Sequence, residues 1–381
     1  MKRKTMKRKQ YIYVNLGDCS VFESQVLELL QHIQNNYDLD VWLYQGYHSE
    51  LEKIKLEKKL AKYNINVKWF RAYPKYIGIW WLTKITFASL LNSNAIDENA
   101  YFHVRGFETG ILLKYHLMRV GLLGHMLVDV RGVPIEENLL YGKSQVKSIL
   151  KKWFYTTIIR QLIRCQQPKI TTVSQKLKEH LIQYYHFSND KISVHPNICG
   201  RRFVYDEVAR QSIRKELGVK NDELLFLCAT GGGAAWQNDK IMITKLAQAG
   251  YKFINLSPNA IDSPNVCNKV VPFDYMPNYL SAADVAVLWR EDNPVNNVAS
   301  PSKFSEFAVM GLYVIHNGTV DLAKNYIEKY ESGYIVKDVD DVKIPTIQEI
   351  LAKRISWIDL GKEMFSVDII SRDYLRVLNI L

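Results

Sequence analysis

A chain of 381 residues exceeds one ordinary core and implies about two domains of 100–200 residues, while 48% apolar and 23% charged residues argue against a disordered or fibrous protein. Cys19, Cys165, Cys199, Cys228 and Cys267 are scattered with no C-x-x-C pair, which speaks against a disulfide framework or a zinc knuckle and fits a reducing cytoplasm. The net charge of +11, concentrated in MKRKTMKRK and in residues 143–164, calls for phosphate-bearing partners: nucleic acid, anionic lipid or a phosphorylated small molecule.

The apolar run after the basic start, YIYVNL (11–16), ends at Gly17-Asp18 and is too short for the core of a signal peptide. It reads instead as the first of a series of short strands. VWLYQG (41–46), VKWFRAY (67–73), AYFHVRG (100–106), MLVDVRG (126–132), ITTVS (170–174) and ISVHPN (192–197) continue that series. Stretches of helical period lie between several of them, such as VFESQVLELLQHIQN with Val21, Val26, Leu29, Leu30 and Ile33 on one face. After a loop-like stretch near 197–202 the alternation restarts with LLFLCATGGG (224–233), FINLS (253–257), VAVLWR (285–290), YVIHNG (313–318) and GYIVKD (333–338). Strands alternating with helices imply parallel sheets with right-handed crossovers, hence two doubly wound α/β domains whose strand ends face a cleft. No run is long and apolar enough to cross a bilayer.

The stretch ASPSKFSEFAVMGLYVIHNG (299–318) carries the chemistry. Ser300 is suited to an N-cap and Pro301 to the first helical position, and the free N–H groups with the helix dipole favour an anion there. Lys303 in the first turn opposes the dipole unless an anion is present, and Glu306, one turn in, suits a vicinal diol such as a ribose. A nucleotide diphosphate satisfies all three features; a plain Lys303–Glu306 surface pair at i,i+3 satisfies only the last two. Gly231, Gly232 and Gly233 follow a strand directly, which lets backbone N–H groups approach an oxyanion or a sugar. Arg290 ends an apolar strand, where a guanidinium is placed for bidentate phosphate binding.

The run RED..NN.ASPSKFSEFAVMGLYVI resembles the nucleotide-sugar signature of GT-B glycosyltransferases of the GT4 type, P-x-K-x-x-E-x-x-x-x-G-x-P-V-I. FESQV (23–27), FHVRG (102–106), VDVRG (128–132), TTVSQKLKEHL (171–181) with HPN (195–197), and YMPNYLSAADVAV (275–287) are similar to other segments of that family, in the same order. The resemblance covers about residues 11–340. Two departures stand out: GGGAAWQNDK has no arginine and only Lys240 as a cation after the glycine turn, and Leu312-Tyr313 replace the usual small residue and proline.

The resemblance implies two Rossmann-like doubly wound domains, 1–197 binding acceptor and 198–365 binding nucleotide sugar, with a helix at 366–381 packing back on the first. It implies retaining sugar transfer from a nucleotide diphosphate sugar, UDP being the default, with no protein-bound metal; the leaving phosphate takes the acceptor proton. Arg290 and Lys303 then hold the diphosphate, with Ser300 and Ser302 and the three glycines assisting, and Glu306 holds the ribose. His103 and Arg105, at one strand end, are the catalytic candidates of the first domain, while Gly17, Asp129 and Arg131 face acceptor or sugar. His103 has an alternative structural role, and the two arginines have one as salt-bridge partners. The stretches WFYTTIIRQLIR (153–164) and IGIWWLTKITFASLL (77–91) read either as core helices with a solvated basic side or as membrane-surface helices. With the charge, they suggest a saccharide or lipid-linked acceptor at the inner face of a cytoplasmic membrane. A catalytically silent accessory subunit and a nucleotide-sugar epimerase are the rival readings, and no nucleic-acid-binding module is recognisable.

Overall fold

A computed structural model describes residues 8–74, 79–93, 96–142, 144–165, 168–230, 239–336 and 342–381. The chain divides into two compact units, one of residues up to His195 together with Ile370–Leu381, the other Pro196–Ile369.

The first unit is built on seven strands: β1 (Gln10–Asn15), β2 (Asp40–Tyr47), β3 (Asn66–Arg71), β4 (Ala100–Arg105), β5 (Met126–Val130), β6 (Lys169–Thr172) and β7 (Ile192–Val194). All pair in parallel in the order β3-β2-β1-β4-β5-β6-β7. Each of the seven apolar runs read from the first half of the sequence is one of these strands. The order reverses between β1 and β4, the switch point beside which open α/β sheets place ligands. Side chains alternate along each strand, so Ile12, Val14, Phe102, Val104, Val128 and Val130 form a buried apolar face. Tyr11, Tyr13, His103, Arg105 and Asp129 project from the other, with Tyr13 opposite His103 and Arg105 opposite Asp129. The C-terminal helix Val367–Val377 delivers Tyr374 to that polar face, where its ring meets His103 and His195 edge-on.

The second unit has six parallel strands, β8 (Leu225–Cys228), β9 (Lys252–Asn255), β10 (Val266–Asn268), β11 (Val285–Leu288), β12 (Tyr313–His316) and β13 (Gly333–Ile335), in the order β10-β9-β8-β11-β12-β13. Its switch point lies between β8 and β11. The edge strand β10 is absent from the sequence reading: three residues with one buried side chain, Val266, leave too little pattern to read. Apolar cores lie on both faces of the sheet, Leu280, Phe304 and Phe307 in one, Phe226, Phe253 and Trp357 in the other.

Charge is also buried in this unit. Asp284, fully enclosed, accepts from Arg210 (2.6 Å), Arg214 (2.9 Å) and the Leu225 amide (2.9 Å). Arg354 donates to the carbonyls of Leu280, Ala283 and Met310. These bonds tie the helices Glu207–Glu216, Met276–Ala282 and Ile347–Phe365 to the sheet core, although the buried Arg214 Nε finds no acceptor.

Candidate functional site

The helix of the quoted stretch spans Ser302–Val309, with Phe304 and Phe307 on its buried face. Its N-cap is Pro301, not Ser300, and no side chain caps it. The reason is tertiary: Ser300 Oγ accepts from the Asn197 amide at 3.0 Å, and its carbonyl accepts from the Asn197 side chain. Ser300 is thereby buried and its oxygens engaged, so the uncapped N–H groups of the helix begin at Ser302, the first helical residue. The helix ends in a Schellman motif: Leu312 N–H donates to Phe307 O and Gly311 N–H to Ala308 O. Gly311 takes φ +65°, and a Cβ there would stand 2.6 Å from Arg354 O, so glycine is required twice over.

Lys303 Nζ lies 2.7 Å from Glu306 Oε2. Glu306 is almost wholly buried. Burial raises its pKa, against the opposing pull of Lys303 and Arg202. Arg202 is a cation that the sequence does not single out, because it lies in the loop-like stretch near 197–202. It pairs with Asp274 and stacks on Phe273 at 4.8 Å, while Lys303 lies 5.8 Å from the same ring. Two cations thus lie against the Phe273 ring near a buried carboxylate.

Arg290 stands just past β11 at the switch point, largely buried. Asn317 clamps its main chain, donating to Arg290 O at 2.6 Å, and the following loop is stiffened by Asn293, whose Oδ1 accepts from the amides of Val295 and Asn296. His316 behind it has its Nδ1 2.7 Å from Leu288 O and accepts from the Val320 amide on Nε2 at 3.0 Å. Gly231, Gly232 and Gly233 lie outside the described residues. Lys303 thus contacts Glu306 and shares the Phe273 ring with Arg202, and Arg290 sits at the strand end of the same unit.

In the first unit, His103 has no exposed surface. Its Nδ1 is 2.6 Å from Tyr11 Oη, and its Nε2 is 3.3 Å from Asp129 Oδ2. Arg131 Nε donates to the same Asp129 oxygen at 2.6 Å and reaches Gln25 and Tyr374 with its terminal nitrogens. Gln25 is held there by a π-helical turn, Glu23–Leu27, inside the FESQV stretch. Burial would raise the Asp129 pKa, but Arg131 and His103 hold it far below the usual carboxylate range, while burial pushes the His103 pKa down. His103 is enclosed by the rings of Tyr11, Tyr13 and Tyr374 and reaches Asp129, an arrangement that fits the structural alternative. Arg105 keeps a buried Nη1 with no hydrogen-bond partner. Gly17 lies in the loop after β1, where the Glu52 carboxylate accepts from the amides of Asp18 (2.8 Å) and His48 (2.6 Å). A separate cavity of about 520 Å³ in this unit is lined by His48, Glu137, Asn138, Tyr141, Lys151 and Tyr155, none of them singled out from sequence.

No protein-family model matches the sequence, and no curated protein matches it. Solved structures resemble the whole chain. HepE of Anabaena, crystallised with UDP, gives a TM-score of 0.67 at 13% identity over 98% of this chain and 100% of that one. A glycosyltransferase of Rickettsia africae gives 0.66 at 13% identity over 98% of both chains. This is the GT-B fold. Sucrose-phosphate synthase of Thermosynechococcus elongatus shares it, at 0.66 and 13% identity over 98% of this chain and 99% of that one. Arg290, Lys303 and Glu306 all lie in the second of the two units that share this fold.

Proposed function

We propose that the protein is a glycosyltransferase that moves a hexosyl or N-acetylhexosaminyl group from a UDP-sugar to a saccharide or lipid-linked saccharide with retention, in the manner of the GT4 type. The observation that carries this reading is the pair of half-buried Lys303 and buried Glu306, with Arg202 nearby, in the first turns of the helix Ser302–Val309. HepE, of the same fold, was crystallised with UDP.

Glu306 accepts the two ribose hydroxyls, and Lys303, released from sole contact with Glu306, turns to the diphosphate with Arg290 and the amides from Ser302 onward. Cations aimed where charge builds up on the leaving diphosphate stabilise the transition state. The bond from the anomeric carbon to the phosphate oxygen breaks, the acceptor oxygen bonds to that carbon on the same face, and the acceptor proton passes to the departing phosphate. Arg105 and the cavity lined by Tyr141, Lys151 and Tyr155 supply contacts to the acceptor side.

The test is release of UDP from a panel of UDP-sugars, with GDP-sugars alongside, and calorimetric titration of donor. Glu306→Gln keeps the volume and lowers the loss to hydrogen bonding, and it is expected to weaken donor binding about 10- to 100-fold. Unchanged affinity in that variant, or no binding of any donor by the wild type, ends the assignment. Binding without turnover marks an accessory subunit instead.

A further inference from the structure

The helix Gln145–Ile163 buries Ser148, Phe154, Ile158, Ile159 and Leu162. Most apolar residues of the stretch WFYTTIIRQLIR are therefore core. The exposed apolar side chains lie one turn earlier: Val146 (67% exposed), Ile149 (66%), Leu150 (45%) and Trp153 (70%). Their spacing, i, i+3, i+4 and i+7, puts them in a single stripe. At 3.6 residues per turn, exposed Lys147 and Lys152 fall on the two flanks of that stripe, and exposed Arg160 prolongs it. The preceding helix, Pro134–Tyr141, adds Leu139 and Leu140, both about half exposed. Trp80 packs on Phe154 at 5.6 Å, which brings the helix Trp80–Ser93, with exposed Trp81 and Ile85, against the same helix.

Single exposed apolar residues need no explanation, but a stripe of four that ends on a tryptophan does. We propose, resting on the transferase reading for the acceptor it would serve, that this stripe docks the protein on an anionic lipid bilayer surface. Charge selects that occupant. Residues 144–165 hold Lys147, Lys151, Lys152, Arg160 and Arg164 and no aspartate or glutamate. A second copy of the chain on this face would set lysine rows against each other, whereas anionic headgroups meet both flanks while the apolar stripe enters the headgroup boundary. Lysine stems beside the stripe reach outward to phosphate as their apolar carbons lie along it. Among the described residues no helix is long and apolar enough to cross a membrane, so the contact is interfacial. Lys151 and Tyr155, which line the 520 Å³ cavity, fall on the opposite side of the same helix from the stripe.

Vesicle flotation tests this with the full chain. Binding is expected to phosphatidylglycerol-containing vesicles at low salt, reduced at 0.5 M salt on the order of tenfold, and absent with pure phosphatidylcholine. Lys147→Glu with Lys152→Glu, and separately Ile149→Ser with Trp153→Ser, are each expected to lower partitioning about tenfold or more. Equal binding to neutral vesicles, wild-type partitioning in both variants, or no vesicle binding at all overturns the proposal. So does a wild-type dimer in light scattering that Ile149→Ser with Trp153→Ser makes monomeric. Donor titration without lipid separates the two readings: vesicle binding lost with donor binding intact defeats the docking surface alone, and the reverse defeats the transferase alone.

Discussion

Single residues show how burial sets chemistry here. His316 is enclosed with Nδ1 at the Leu288 carbonyl and Nε2 at the Val320 amide, an arrangement that only the neutral Nδ1–H tautomer satisfies. Burial pushes its pKa down to about 4. Because the folded value is depressed, the unfolded chain binds the proton first; this contribution is full above about pH 6.5 and is lost as pH falls towards 4, amounting to about 3 kcal/mol. Urea melts at pH 7.5 and pH 4.5 are expected to differ by about 2 kcal/mol more in wild type than in His316→Gln. Equal differences would assign the acid sensitivity elsewhere, for instance to His103 or His195, whose pKa values burial also lowers. Glu306 carries the opposite sign: burial raises its pKa, so Lys303→Ala would leave a buried carboxylate without its nearest cation and cost stability as well as ligand. The conservative Glu306→Gln is for that reason the cleaner probe.

Elements are joined by charge as much as by apolar packing. Asp284, in the segment YMPNYLSAADVAV, holds Arg210 and Arg214 of one helix and the first amide of β8. Asp284→Asn leaves two buried guanidinium groups without a counter-charge, and a loss of about 3–5 kcal/mol is expected in chemical denaturation of the second unit. A loss under about 1 kcal/mol would mean that apolar contacts alone hold the helix Glu207–Glu216. Sequence reading found Asp284 only as part of a family-like stretch, because its partners lie about 60–75 residues away and no local pattern links them. The helix Ser302–Val309 makes the same point at its two ends. Its glycine stop at Gly311 was legible, since the motif is local. Its start was not, since Asn197 takes Ser300 from a distance of 103 positions.

For the whole molecule, the proposed chemistry asks nothing of a metal, the leaving phosphate taking the acceptor proton itself. Turnover of a UDP-sugar is therefore expected to survive excess EDTA within about twofold. A tenfold or larger loss that magnesium or manganese restores would replace that mechanism with a metal-assisted one. Sequence by itself determined the alternation of strands and helices and the two parallel sheets, because period and turn residues are properties of neighbours along the chain. Tertiary structure decided the rest. It enclosed His103 beneath Tyr374, brought Arg202 and Phe273 to the Lys303–Glu306 pair, and turned Val146, Ile149 and Trp153 outward while burying Ile158 and Ile159. Which side of an amphipathic helix meets the core, and which polar groups share one buried space, depend on residues distant in sequence; only packing supplies that information.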